Sequence, residues 1–386
     1  MSELLKPDNI EEICRKYIDS NILAVTHLND GHINDTYLVE AEYGEYICQR
    51  MQRGIDIKKL EHNYSMYSKA CKGHEWLYPE WIRNKEGKYY FTDHNVDKWR
   101  MYPYIDGDIL TPPLAKEELY ACGQGLARMH MILNTLPAEP VAVYPHLHDL
   151  GSYYERYERL IKRDKLITDS STVTEKVTEE DITSVTEGII EENRDMLIEE
   201  IIEAEIKRMM DVPVDVVSLC KQSSAGESLT DTFPDHISVI HGDAKLSNML
   251  FERAPFRCGM RRVIGFIDMD TVMPGSWLAD IADCIRSCCL TNESAEKSSA
   301  RSFDCDAAEH LISGYVSIAG RKTEDALRNS LPAVFDRICF ELALRYYTDA
   351  ISGAENERVF KEKYPGYLLG RARELFGISW GETTLK

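Results

Sequence analysis

The apolar positions of the chain change period near residue 104. Before that point, short runs alternate apolar and polar residues, which is the signature of half-buried strands. Residues 25–40 read as a strand, a turn at Asn29, Asp30 and Gly31, and a returning strand from Thr36. A second hairpin passes through Glu42, Tyr43 and Gly44 into residues 46–51, and two consecutive hairpins predict an antiparallel sheet. A short helix over residues 9–20 precedes them, with Ile10, Ile13, Tyr17 and Ile18 on one face. A helix over residues 57–70, with Leu60, Tyr64 and Tyr67 inward, follows them, and residues 89–91 and 99–102 supply further strands.

Tyr102-Pro103-Tyr104-Ile105-Asp106-Gly107 has the composition of a linker, and helical periodicity takes over after it. Residues 114–133 place Leu119, Cys122, Leu126, Met129 and Leu133 on one stripe, and residues 153–166 form another helix. Residues 168–187 are rich in Ser, Thr and Glu and read as a surface insert. Residues 189–210 are an acidic amphipathic helix, taken as a solvated face over a core before a partner surface, and residues 221–234 are a polar loop. Two apolar runs, 237–240 and 263–267, read as buried strands, and residues 278–290, 304–318, 331–353 and 364–376 as helices. The expected fold is α+β and bilobal. A small N-terminal lobe, residues 1–104, pairs an antiparallel sheet with a helix; a larger, mainly helical lobe, residues 105–386, carries the acidic insert at about 160–235.

Composition changes this picture little. The chain has 386 residues, 44% of them hydrophobic and 28% charged, as in an ordinary soluble globular protein. A formal charge of −20 argues against nucleic acid or an anionic membrane as a partner, because either needs basic patches. No apolar run has the length of a membrane span, and the acidic, amphipathic N-terminus is unlike a signal peptide. The eleven cysteines are scattered in apolar surroundings. Cys284, Cys288 and Cys289 come nearest to a cluster but lack paired spacing, so they read as buried thiols rather than a zinc site. The expected compartment is the cytoplasm.

The chemistry is concentrated at the ends of the two apolar runs. His241-Gly242-Asp243-Ala244-Lys245-Leu246-Ser247-Asn248 follows the first, and Asp268-Met269-Asp270 follows the second. Phosphoryl transfer from a nucleotide needs one carboxylate to take the proton of the attacking hydroxyl, and oxygen ligands to hold the Mg²⁺ that neutralises the phosphates. Asp243 is the candidate base, against the plainer reading of a turn cap paired with Lys245. Asn248 and Asp268 are candidate ligands of Mg²⁺, with Asp270 either sharing the metal or bracing the loop. Gly242 suits a sharp turn, and His241 is assigned to orienting the loop backbone. Lys245 either reaches a phosphate or neutralises Asp243. Asp280 and Asp283 read as first-turn carboxylates of the next helix, with Asp283 paired to Arg286 three residues on. Backbone amides of Gly31, His32, Ile33 and Asn34 offer a cradle for phosphates. Glu61 is placed to hold a cation from the third strand.

These residues resemble a known family. VIHGDAKLSNMLFE with FIDMDTVMPGSWLADIADCIRS is similar to the aminoglycoside phosphotransferase and choline kinase group, whose fold is protein-kinase-like. NDGHINDTYLV, WRMYPYIDG, YPHLHDLGSYYERY and IDMDTVMPG resemble the N-acetylhexosamine 1-kinases, which use ATP and Mg²⁺ to phosphorylate the anomeric hydroxyl of an N-acetylhexosamine. The likeness spans nearly the whole chain apart from about 160–235. It implies Asp243 as base, Asn248 and Asp268 on Mg²⁺, and adenine at the linker around Arg100 to Tyr104, including Met101 and Tyr102. It puts the phosphates beneath Gly31 to Asn34, and the sugar among His32, Asp243, Arg286, Ser287 and Arg345, to which Asp349, one turn on, is added as a hydroxyl acceptor. The chain departs from the family where a third-strand Lys is usual: Gln49 or Arg50 stands there, and Arg50 can reach phosphate and Glu61 only if its face turns inward. Ser287 is smaller and more polar than the resemblance implies, which would widen or re-polarise the pocket and bears on the N-acetyl preference. Competing readings are a kinase for choline, homoserine or an aminoglycoside, and a non-catalytic nucleotide or sugar sensor on the same scaffold.

Overall fold

In a computed structural model, residues 7–28, 34–170, 237–253, 261–292, 301–352, 367–376, 378 and 380 are described. The expected turn at Asn29–Gly31, the insert beyond residue 170, the 189–210 helix and the 221–234 loop lie outside the described residues. The fold is mixed α+β, with an antiparallel sheet in the N-terminal region and helices in the C-terminal part, as expected. Contacts gather the chain into two compact units: Met1–Pro145 with Ser238–Cys288 and Asp306–Asp325, and His146–Ile237 with Cys289–Cys305 and Ala326–Lys386. This grouping cuts across the boundary at 104/105, because Leu77 and Asp108 are bonded to the later strands. Among the described residues no helix is long and apolar enough to cross a membrane.

The first unit opens with α1 (Pro7–Cys14) and a five-stranded sheet in the order β1-β2-β3-β5-β4. Its strands are β1 (Ile22–Leu28), β2 (Asp35–Ala41), β3 (Gly44–Arg50), β4 (Phe91–Thr92) and β5 (Lys98–Pro103). α1 stops six residues short of the expected end: Tyr17 turns inward and its hydroxyl donates to the Trp99 carbonyl at 2.6 Å. Ile10, Ile13 and Cys14 bury against Val39, Cys48, Trp99 and Met101 on one face of the sheet. Strand alternation then assigns Ile47, Gln49, Arg100 and Tyr102 to the other face. α2 (Ile57–Gly73) is capped by the Asp56 carboxylate, which accepts from the Lys58 and Lys59 amides, and buries the expected Leu60, Tyr64 and Tyr67.

α3 (Lys116–Leu133) buries all five residues of its expected stripe. In the second unit, α4 (Leu150–Ser170) follows. Returning to the first, β6 (Ile237–Ile240) pairs with β9 (Met273–Ser276), and β7 (Met249–Phe251) with β8 (Val263–Phe266). β8 is stitched to the segment after α2 by Leu77 N–H to Ile264 O at 3.0 Å and Phe266 N–H to Leu77 O at 3.1 Å. Asp108 and Phe251 exchange both backbone hydrogen bonds, which carries the linker onto β7. α5 (Trp277–Cys288) runs out of β9.

A hairpin of β10 (Leu290–Asn292) and β11 (Arg301–Phe303), not expected from the sequence, precedes α6 (Cys305–Ala319). Its polar strands carry no alternation to announce it. α7 (Glu324–Ser352) begins seven residues before the expected 331, since Pro332 imitates a first-turn proline while sitting inside the helix. α8 (Tyr367–Phe376) is the last described helix. In the second unit Phe303, Phe335 and Trp380 form an aromatic cluster, with centroids 4.7–5.2 Å apart.

α3 and α6 cross at two glycines. A methyl group on Gly123 would overlap the Leu311 carbonyl, and one on Gly314 would overlap the Tyr120 carbonyl. Backbone cannot step aside as a side chain can, so Gly314→Ala should cost about 2 kcal/mol or more in urea unfolding. Gly370→Ala on α8, where nothing lies within 4 Å, should instead stabilise by roughly 0.5–1 kcal/mol. Equal responses at the two sites would contradict the close crossing.

Candidate active site

The loop after β6 is held from below by one buried carboxylate. Asp280, on α5, accepts the His241 amide through Oδ2 at 2.7 Å and the Gly242 amide through Oδ1 at 2.9 Å. His130 on α3 donates from Nε2 to the same Oδ2 at 3.0 Å, and its Nδ1 lies 2.9 Å from the Tyr315 hydroxyl of α6. Burial alone would raise the Asp280 carboxyl; the hydrogen bonds from His130 and the His241 amide outweigh it and hold the group below the ordinary carboxylate range. From the sequence alone Asp280 reads as a helix cap, and no local spacing separates that role from this one. Gly242 takes a φ of +80°, the left-handed conformation that glycine adopts at little cost, and so turns the chain toward Asp243.

His241 is fully buried and structural. Its Nε2 donates to the Ile267 carbonyl at 3.0 Å, while its Nδ1 accepts the Asp243 amide at 3.3 Å, which defines the tautomer. Asp243 Oδ2 accepts from Lys245 Nζ at 2.6 Å and from Asn248 Nδ2 at 3.0 Å. Burial would lower the Lys245 ammonium, but the Asp243 carboxylate more than offsets this and holds it above the usual range. The Asn248 amide nitrogen also donates to the Asp243 carbonyl at 2.7 Å, so the atom left to face a cation is Oδ1. Residues Leu246–Asn248 form a 3₁₀ turn whose first amide donates to Ser287 Oγ at 2.8 Å.

Asn248 and Asp268 are brought together by the backbone, Ile267 N–H donating to the Asn248 carbonyl at 2.9 Å. Asp268 stands in the left-handed region, φ +58°, uncommon for a residue with a side chain and a mark of local strain. Burial, then the Asp270 and Asp243 carboxylates, push its carboxyl up to about 6. Asp270 is buried and gripped by Arg100, Nη1 to Oδ1 at 2.6 Å and Nη2 to Oδ2 at 2.9 Å. The arrangement therefore favours bracing for Asp270 and leaves Asp268 as the carboxylate in need of a positive partner. Among the described residues no three His, Cys, Asp or Glu side chains converge on a metal. Mg²⁺ suits such a place, since it takes one or two protein oxygens and fills its octahedron with water and phosphate. Asp268 and Asn248 Oδ1 fit that demand.

Several expected residues are placed otherwise. Arg50 lies on the face turned to α1, over the Trp99 ring and ion-paired with Asp35 and Asp97, so its condition for reaching phosphate or Glu61 is not met. Gln49 holds the inward position on β3. From α2 the inward polar residue is Asn63, not Glu61: its Nδ2 donates to the carbonyls of Val141 and Val272 at 2.8 and 3.1 Å. The Met101 side chain belongs to the α1 cluster, whereas Tyr102 faces the acidic residues, and its hydroxyl is pushed upward mainly by burial. Asn34 closes the root of β2, its Oδ1 accepting the Gln52 amide at 3.0 Å. Gly31, His32 and Ile33 lie outside the described residues. Ser287 does not simply widen a pocket, because its hydroxyl also donates to the Cys284 carbonyl at 2.8 Å and is committed to the loop. Arg286 pairs with Asp283 at 2.8 Å, as expected.

Arg345 and Asp349 belong to the second unit. There Arg337, Glu341, Arg345 and Asp349 recur every fourth residue along α7. Arg337 donates to Glu341 at 2.7 Å, Tyr153 neighbours Arg345, and Arg156 pairs with Asp349 at 2.8 Å.

A sequence model described as the phosphotransferase enzyme family (APH) matches residues 24–304. Solved structures share the fold at low identity. An amicoumacin kinase in complex with AMP-PNP and Ca²⁺ is 10% identical, with a TM-score of 0.56, covering 96% of this chain and 93% of its own. A microcompartment-associated aminopropanol kinase is 16% identical, with a TM-score of 0.54 and 95% of both chains covered. A spectinomycin phosphotransferase in complex with ADP and spectinomycin is 14% identical, with a TM-score of 0.51, covering 97% and 99%.

Asp268 carries a pH signature. Its folded carboxyl, at about 6, lies above the ordinary value of about 3.9, so its proton contributes stability below about pH 4 that is lost as pH rises through about 6. Without divalent cation, Asp268→Asn should be more stable than wild type at pH 7, and this advantage should vanish near pH 4, as read by urea unfolding. An advantage independent of pH would contradict the crowding of carboxylates.

Proposed function

Since the chain belongs to the phosphotransferase enzyme family, we propose that it is an ATP-dependent small-molecule kinase with Asp243 as base, acting on the anomeric hydroxyl of a hexosamine or related hexose. The observation that carries the first part is the Asp243 carboxylate, held on its loop by Lys245 and Asn248 beside Asp268. The acceptor assignment rests on the IDMDTVMPG and GHINDTY stretches and their resemblance to sugar 1-kinases.

In this reading Asp243 accepts the proton of the acceptor hydroxyl as its oxygen bonds to the γ-phosphorus and the bond to ADP breaks. An anomeric hydroxyl is more acidic than an ordinary alcohol, so one oriented carboxylate suffices. Lys245 orients Asp243 and would offset charge on the transferred group. Asp268 and Asn248 would hold Mg²⁺, whose chemistry is to neutralise the phosphate oxygens. Residues 1–104 serve the nucleotide, with its phosphates near Asn34 and its adenine near Tyr102, and residues 105–386 supply the catalytic groups and the acceptor site. The sugar assignment draws in His32, Arg286 and Ser287.

The solved structures of similar fold are named for antibiotic and amino-alcohol acceptors, which is the support for the rival choice of acceptor. Incubation with ATP, Mg²⁺ and a panel of reducing sugars, amino alcohols and aminoglycosides separates the two. ADP release is expected with an N-acetylhexosamine or a related hexose. Release only with the other acceptors removes the sugar assignment, and release with none removes the kinase. Asp243→Asn should lower kcat/KM by about 10²–10⁴-fold while nucleotide binding persists; an unchanged rate rules Asp243 out as base.

A further inference from the structure

One row of polar side chains crosses three strands of the sheet on the face that carries Gln49 and Arg100. The register sets Thr36 opposite Gln49 and Gln49 opposite Arg100. Arg100 Nε donates to Gln49 Oε1 at 2.9 Å, and Gln49 Nε2 donates to Thr36 Oγ1 at 3.0 Å. Thr36 Oγ1 donates in turn to the Asn34 carbonyl at 3.4 Å. The other side of the guanidinium is the fork on Asp270, two residues after Asp268. Trp81 lies beneath it, 4.9 Å from ring centroid to Cζ, and Arg100 is only 3% exposed.

The geometry limits what Arg100 can do. A guanidinium locked by two bonds to Asp270, one to Gln49 and an aromatic ring is not available to follow a phosphate. The relay it heads instead joins two places that phosphoryl transfer must hold in register: the Asp268–Asp270 segment, bonded to Arg100 itself, and the start of β2 at Asn34, reached through Gln49 and Thr36. A lysine on β3 would supply a mobile charge at the Gln49 position; here a neutral amide stands there and carries the connection onward.

We propose that Arg100 is a positioning residue which, through Gln49 and Thr36, sets the spacing between the metal-bearing Asp268 segment and the nucleotide-facing root of β2. This rests on the phosphotransferase reading above. Removing the relay while leaving the Arg100–Asp270 pair intact should then loosen the Mg²⁺-nucleotide more than it slows the chemical step.

The test compares wild type with Gln49→Leu, Thr36→Val and Arg100→Lys. Binding of AMP-PNP is measured by calorimetry with and without Mg²⁺, KM for ATP and kcat by ADP release, and folding by thermal unfolding. Gln49→Leu should weaken AMP-PNP by about 5–30-fold with Mg²⁺ and by less without it, the loss falling on KM rather than kcat. Thr36→Val, nearly isosteric, should follow it in direction and keeps the test valid if Gln49→Leu unfolds. Arg100→Lys keeps a charge beside Asp270 but has no Nε branch, so adding Gln49→Leu to it should bring no further loss. A folded Gln49→Leu protein with wild-type affinity, or additive losses in the double variant, would overturn the relay. A wild type that binds no AMP-PNP would overturn the phosphotransferase reading itself.

Discussion

Two buried amides at a sharp turn need an acceptor, and the carboxylate of Asp280 is that acceptor. Everything that positions Asp243 depends on this. The carboxylate is itself fixed by His130, and His130 by Tyr315, so three helices converge on one turn of backbone. That convergence requires α3 and α6 to approach at Gly123 and Gly314, where no side chain fits. Trp277 stacks on Tyr315 with centroids 5.6 Å apart and closes the stack over the start of α5. Helix packing is thus turned into loop geometry through hydrogen bonds, with Ser287 fastening the far end of the same loop.

Charge is distributed unevenly among the three neighbouring carboxylates. Asp243 has Lys245, and Asp270 has the fork of Arg100. Asp268 has burial and two like charges against it, in a strained backbone conformation. A cation at Asp268 would relieve both the repulsion and the desolvation, which is the physical argument for the Mg²⁺ ligand proposed there.

Much of this was legible in the chain. The stripe on α3, the two hairpins and the apolar strands before Asp243 and Asp268 follow from period alone, because each buries one face. What failed to show was direction. Alternation divided Arg50 from Gln49 but could not say which face met the site; α1 packing on Cys48, Trp99 and Met101 decided that. Glu61 and Asn63 sit two residues apart on α2, and only the helix's rotation makes Asn63 the inward one. Arg100 reads from the sequence only as a strand residue near the adenine, because its partner, Asp270, lies 170 residues away. The part Ser287 plays in fastening the loop was hidden, because its hydrogen-bond partners, the Leu246 amide and the Cys284 carbonyl, are backbone atoms that no motif records.

The most direct measurement is the ³¹P NMR spectrum, with ¹H coupling, of the product formed from ATP, Mg²⁺ and N-acetylhexosamine. The account predicts a new phosphomonoester coupled to a single anomeric proton, formed at least about 10²-fold more slowly when Asp243 is replaced by Asn. A phosphoester coupled instead to a CH₂ group, or the same product formed at the wild-type rate by the Asp243→Asn protein, would contradict it.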